Sequence, residues 1–216
     1  MSTLKKTDLT DIKRAPDRGS FDVDTMHAIL DATPLCHVGY LVNNQPVVTP
    51  TIHWREGNHI YWHGSRISRS LPESEQAPVC LTVTHLDELV LARSAFHHSA
   101  NYRSVMIFGT PTLVENRIEK TAALVALIDK MLPGRWQTLR EMTEKEFAAT
   151  SVLSLPLSEA SAKIRSGGPN DLESDLDFPV WAGVLPLTNT TGNPVPCPHN
   201  QTGIKAPGNL QDYKIG

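Results

Sequence analysis

From Leu35 to Val114 the chain runs as short apolar stretches separated by tight-turn residues, and this spacing limits the folds open to it. The clearest stretch is Tyr102–Gly109, Tyr-Arg-Ser-Val-Met-Ile-Phe-Gly. It is apolar, β-branched and closed by glycine, so it reads as a central strand with an arginine and a serine at its entrance. Upstream, Leu35–Val42 and Pro46–Trp54 flank Asn43-Asn44, which predicts a hairpin. Glu56-Gly57-Asn58 makes the next turn into a third strand, His59–His63. Pro78–Thr84 reads as a strand, His85-Leu86-Asp87-Glu88 as a turn and Leu89–Ala95 as its continuation. The strand from Tyr102 extends to Val114, with Gly109 and Pro111 marking a bulge or sharp bend. Ser151–Leu157, Ala160–Arg165 and Pro179–Leu187 complete about seven or eight strands at hairpin spacing, the pattern of a small antiparallel barrel and not of alternating βα units.

Helical periodicity is confined to a few places. Asp22 or Asp24 can cap a helix carrying Met26, Ile29 and Leu30 on one face, ended by Pro34. Ser65 or Ser68 can cap a short helix through Leu71. Ile118, Ala122, Val125, Ile128 and Leu132 share a helical face up to Pro133-Gly134, and Thr143 followed by Glu146 has capping-box spacing. The expected organisation is an arm over residues 1–20, one barrel domain over 21–187 with a helical insertion near 117–149, and an irregular tail over 188–216.

Composition removes several function classes. With 216 residues, one substantial core is the better prior. Net charge is −3 with no long basic run, so nucleic-acid binding has no electrostatic support. No apolar run approaches the ~18 residues of a membrane span, and the N-terminus lacks the apolar core of a secretory signal. Cys36, Cys80 and Cys197 are odd in number and widely spaced, which argues against a disulfide framework and for a reducing, cytoplasmic setting. Cys36 and Cys80, in apolar strands, read as buried structural thiols.

Candidate chemistry clusters after the third strand. In Tyr61-Trp62-His63-Gly64-Ser65-Arg66-Ile67-Ser68-Arg69 a strand stops at glycine and passes into a helix start with two arginines and two serines. Those donors suit an anionic group, most simply a phosphate, although they also suit a solvated basic turn. No glycine-rich nucleotide loop and no Gly-x-Ser-x-Gly elbow is present. Nine histidines occur without a zinc-ligand spacing, so no metal site is expected. His63, His97 and His98 are the candidates for moving a proton. Trp181, followed by Ala182 and Gly183, can lie over a flat group, a partner subunit or the core.

These residues, taken in order, resemble the pyridoxamine 5'-phosphate oxidase-like, flavin-binding split barrels. The likeness rests on Cys36-His37-Val38-Gly39, Gln45–Pro50, Tyr61–Ser65, Arg103–Gly109 and Trp181-Ala182-Gly183, and runs from about Arg14 to Leu187. Ser158–Arg165 and Pro179–Val184 resemble the flavin-nucleotide-binding branch, which includes nitroimidazole-resistance-type proteins. The resemblance implies a mostly β, six-stranded-type antiparallel split barrel with peripheral helices, homodimeric, with FMN or less often FAD at the subunit interface. It places the flavin phosphate on Ser68 and Arg69, with Arg66 and Ser65 nearby. The ring and ribitol fall to His63, Gly64, Thr49, Pro50 and Thr51. A polar contact comes from Ser104 beside Arg103, and Trp181 is offered by the other subunit.

The chain departs from true pyridoxamine 5'-phosphate oxidases in one respect that bears on substrate. Val184–Thr190 contains no Arg-x-His for the substrate phosphate and pyridine, which argues against vitamin B6 oxidation. The expectation is therefore a flavin-dependent oxidoreductase, reduced by a nicotinamide nucleotide and acting on a small aromatic or nitro compound. A flavin-binding protein that stores the cofactor or senses redox state is one alternative. A haem-binding split barrel, its iron held by one of the histidines, is another.

Overall fold

The computed structural model describes residues 2–65 and 77–213, so the short helix read through Leu71 lies outside the described residues. In chain order the elements are β1 (Gly19–Ser20), α1 (Val23–Asp31), β2 (Leu35–Val42), β3 (Gln45–Glu56), β4 (His59–Ser65), β5 (Val79–Leu91), β6 (Ser99–Gly109), β7 (Thr112–Leu113), α2 (Arg117–Met131), α3 (Glu144–Ala149), β8 (Thr150–Pro156), β9 (Ala160–Arg165) and β10 (Gly183–Pro186). The ten strands form one antiparallel sheet in the order β1-β9-β6-β5-β2-β3-β4-β8-β7, with β10 added to β5.

Local sequence accounts for the turns. Asn43 and Asn44 take φ of 49° and 62°, the left-handed pair a two-residue hairpin needs, and asparagine tolerates that region better than most residues. β2 then alternates: Cys36, Val38 and Tyr40 point inward, while Leu35, His37 and Leu41 point out. The barrel core gathers Leu81, Val83, Val105, Ile107, Leu153 and Leu155, and α1 plugs it with Val23, Met26, Ile29 and Leu30. Asp22 caps α1, accepting from Thr25 N at 2.8 Å and Thr25 Oγ1 at 2.7 Å, and these bonds hold its carboxyl below the usual range.

At the other end of α1, two buried imidazoles meet its last carbonyls. His85 Nε2 lies 2.9 Å from Ile29 O, and His53 Nε2 lies 3.1 Å from Leu30 O. A second apolar cluster forms on the outer face of β3 and β8, where Ala123, Leu124 and Leu127 of α2 cover Trp54 and Val152. The capping box at Thr143 and Glu146 is present and starts α3. Bonds from Arg140 and Thr143 bring the Glu146 carboxyl down to about 2.

Four expectations are corrected. His85–Glu88 is not a turn: β5 runs through it to Leu91, shifting register by a bulge between Leu86 and Glu88, because β6 pairs with it on both sides of the irregularity. The strand expected over Tyr102–Val114 starts earlier, at Ser99, and ends at Gly109. Gly109 has φ 155°, and a Cβ there would stand 3.1 Å from Leu155 Cδ1. The last strand is Gly183–Pro186, not Pro179–Leu187, so Trp181 precedes it. Cys80 is half-buried and faces outward beside Thr82, and only Cys36 is the buried thiol, its pKa pushed up to about 12 by desolvation.

Candidate functional site

The sheet divides at β3. Residues 45–52 of β3 pair with β2, and from His53 onward the strand pairs with β4 instead. β4 continues past that point on its other edge, where His63, Gly64 and Ser65 pair with Val152, Ser151 and Thr150 of β8. Thr49, Pro50 and Thr51 therefore form one lip of a split, and His63, Gly64 and Ser65 form the other. Arg66, Ser68 and Arg69 follow directly in sequence and lie outside the described residues.

The lips are polar and partly open. Thr49 Oγ1 shares a hydrogen bond of 2.9 Å with the Tyr40 hydroxyl, while Pro50 and Ser65 are exposed. His63 turns to the outer face, its ring 6.1 Å from that of Trp54 between centroids, and Trp54 stacks on Tyr61 at 5.8 Å. Burial disfavours the charged ring and lowers the His63 pKa. Among the described residues, its Nδ1 and the Nε1 of Trp54 are both buried without a partner. An orphan polar atom is costly in a packed structure; Trp54 lies under α2, whereas His63 stands on the lip, where its Nδ1 points to a ligand group or solvent.

The remaining candidates stand elsewhere. Arg103 and Ser104 sit on β6, three strands from β3 in the sheet order. Asp87 on β5 occupies Arg103, accepting from Nε at 3.0 Å and Nη2 at 2.8 Å, which raises the guanidinium pKa further. Ser104 Oγ donates to Lys163 O at 3.2 Å. Trp181 is 67 % exposed. Its ring folds over Gly183, where a Cβ would meet ring carbons at 2.7 and 2.9 Å, so the glycine is what lets the indole lie there. His97 and His98 lie between β5 and β6 beside Phe96, which is 89 % exposed and packs edge-on against His97. His98 Nδ1 donates to Ser94 O at 2.9 Å, which fixes the tautomer and leaves Nε2 with its lone pair free.

The candidates thus fall into two groups: the lips of the split, and a β5–β6 group with Trp181. Around both, the outer sheet face presents Leu35, Leu41, Val48, Leu86 and Met106, all exposed. Sequence reasoning missed Asp87, read as a turn residue, and missed Tyr40 and Trp54, whose part depends on cross-strand register. Among the described residues no cluster of His, Cys, Asp or Glu could hold a metal ion, and no helix is long and apolar enough to cross a membrane.

Comparison with known proteins places this architecture. A search of curated proteins finds no match. Among solved structures, the flavocytochrome Anf3 from Azotobacter vinelandii is 43% identical, with a TM-score of 0.94 over 97% of this chain and 98% of that one. The FAD and haem binding protein from Mycobacterium smegmatis is 35% identical, with a TM-score of 0.86 over 92% of this chain and 98% of that one. A protein from Bacteroides thetaiotaomicron named for 5-nitroimidazole antibiotic resistance shares the fold at 19% identity, with a TM-score of 0.56 over 66% of this chain and 84% of that one. The sequence pattern of the pyridoxamine 5'-phosphate oxidase family matches residues 22–164. The mostly antiparallel sheet divided at β3 is the split barrel of these neighbours, and the chain belongs to the pyridoxamine 5'-phosphate oxidase family.

Proposed function

We propose that this protein is a flavin- and haem-binding redox protein, working as a homodimer. The observation that carries the reading is the reach of the similarity. The family pattern stops at residue 164, yet likeness to proteins named for a flavocytochrome and for FAD and haem binding extends over 97% and 92% of the chain. The segment beyond the family pattern, with Trp181 and β10, is therefore largely shared with proteins whose names include haem. The name of the Mycobacterium smegmatis protein favours FAD over the FMN expected from the sequence resemblance.

The residues present fit both groups. The orphan Nδ1 of His63 and the hydroxyls of Thr49, Thr51 and Ser65 offer polar contacts at the split for a flavin, and the sequence resemblance adds Arg66, Ser68 and Arg69, which lie outside the described residues. His98, its Nδ1 tied to Ser94 O beside the exposed Phe96 ring, would hold the haem iron through Nε2. A flavin would supply hydride and one-electron transfer, and haem one-electron and oxygen chemistry. His63 gives the lip a hydrogen-bonding partner, and burial disfavours its charged form.

A dimer explains why the candidates fall into two groups. Arg103, Ser104 and Trp181 of one subunit can meet the split of the other, and the exposed apolar residues of the outer face are then covered. Reduction by a nicotinamide nucleotide and transfer to a small aromatic or nitro acceptor remain the chemistry to assay. The nitro acceptor rests on the sequence resemblance alone, and the lack of Arg-x-His after Trp181 still argues against vitamin B6 oxidation.

The test is the absorption spectrum of the purified protein, with extracted cofactors identified by mass. A flavin pair of bands plus a Soret band, FAD in the extract, and loss of the Soret band alone in His98→Ala are expected. A Soret band unchanged in His98→Ala moves the ligand elsewhere, and protein that takes up neither added flavin nor haem removes the reading. Light scattering that returns a single-chain mass for the loaded protein refutes the dimer.

A further inference from the structure

We infer a separate oxyanion site at the end of β9, built by Arg165 and Arg18 around the loop that follows the strand. A cavity of about 350 Å³ opens there, lined by Asp17, Arg18, Arg165, Ser166, Gly167 and Gly168 among others. Its floor is unusual. Arg165 is only 7% exposed, and a guanidinium stays charged at any pH a protein survives. All its acceptors are neutral: the Asn101 amide oxygen, Gly167 O at 3.5 Å and Gly168 O at 3.3 Å. Glu88 reaches it only at second hand, through the Asn101 amide nitrogen, which also donates to Gly167 O at 3.0 Å.

Among the described residues neither Arg18 nor Arg165 forms an ion pair. A cation this buried without a counter-ion is expensive, and two guanidiniums on one polar cavity provide fork-shaped donors matched to phosphate or carboxylate oxygens. The site lies four strands from β3 in the sheet order, and its lining includes none of the lip residues. It does not rest on the flavin and haem reading, and nothing in that reading uses Arg18 or Arg165. The ligand class is a phosphate or carboxylate group. It can belong to a free small molecule or to the tail of a bound cofactor reaching across the sheet.

The experiment is calorimetric titration of the purified, cofactor-loaded protein with inorganic phosphate at constant ionic strength, repeated on cofactor-stripped protein. Saturable binding is expected. Arg18→Ala, a rim change that leaves the Arg165–Asn101 contacts in place, weakens it about tenfold, the loss of one charge-assisted contact. Asp17→Asn removes the negative charge on the same rim and tightens binding, an effect that a purely structural role for the cluster does not produce. Binding to both forms assigns the site to a free ligand. Binding only after stripping assigns it to a cofactor's own phosphate or carboxylate. Either result supports the site. No saturable binding in either form, or equal affinity in wild type, Arg18→Ala and Asp17→Asn, overturns it.

Discussion

The imidazole of His53 makes this protein acid-sensitive in a window that can be calculated. The side chain is fully buried, with Nε2 3.1 Å from Leu30 O and Nδ1 3.1 Å from Pro34 O. Desolvation disfavours the charged ring, and the nearby Lys130 adds to that. The two carbonyls and Asp31 pull the other way, since only a protonated ring donates to both. Desolvation wins, and the pKa falls from 6.5 to about 4. The unfolded chain then binds a proton that the folded one refuses. Stability is complete above pH 6.5 and is lost as pH falls toward 4. A gap of roughly two and a half units corresponds to about 3 kcal/mol, of which about 2 kcal/mol falls between pH 7 and pH 4.5.

The assay is urea unfolding across that range for wild type and for His53→Gln, which keeps one donor for one carbonyl and cannot titrate. The difference between the two slopes isolates His53 from the other groups, including His63, which burial also shifts downward. Wild type should lose about 2 kcal/mol more than the variant. Equal losses, or a His53 ring signal titrating near pH 6.5 by NMR, would refute the reasoning and mean that the two carbonyl contacts outweigh desolvation.

Other expectations follow from packing. Leu81→Ala empties a fully buried position in the barrel and should cost about 2–5 kcal/mol in chemical unfolding, and a cost below ~1 kcal/mol would show that the core collapses around it. Gly183→Ala puts a Cβ at 2.7 Å from the Trp181 ring, so the indole must lift. Because that ring is exposed, stability should change little, while Trp fluorescence and flavin retention shift. Unaltered retention would detach Trp181 from the cofactor.

Much of the barrel is legible in local sequence because its hairpins are local. Asn43-Asn44 sets the β2–β3 turn by its own backbone preference, and Thr143 with Glu146 starts α3 whatever surrounds it. His85–Glu88 misleads for the opposite reason. Its residues look like a turn, yet β6 on one edge and β10 on the other hold them in a bulged strand, and neither partner is visible from the stretch itself. The site divides in the same way. Thr49–Thr51 and His63–Ser65 come from a motif, but their placement on opposite lips depends on β3 exchanging one partner for another. That Arg103 is occupied by Asp87 depends on the register of β5 against β6. For Arg165 the strand end and the Ser158–Arg165 resemblance are legible, but its cavity with Arg18 is not, because Arg18 comes from the other end of the chain.

The attachment of β10 carries a consequence for motion. The strand holds to β5 through a short register, Gly183–Pro186 against Leu91–Glu88, and its partner lies far upstream in the chain. The β5–β6 hairpin it joins is closed locally and spans most of both strands. Loop closure over such a distance is slow, and a short terminal pairing has little to oppose its release. The segment that presents Trp181 should therefore dock late in folding and come away first in the native state, exchanging its amides well before the barrel does. If so, the least durable part of the molecule is the part it shares with the haem-binding relatives beyond the family pattern.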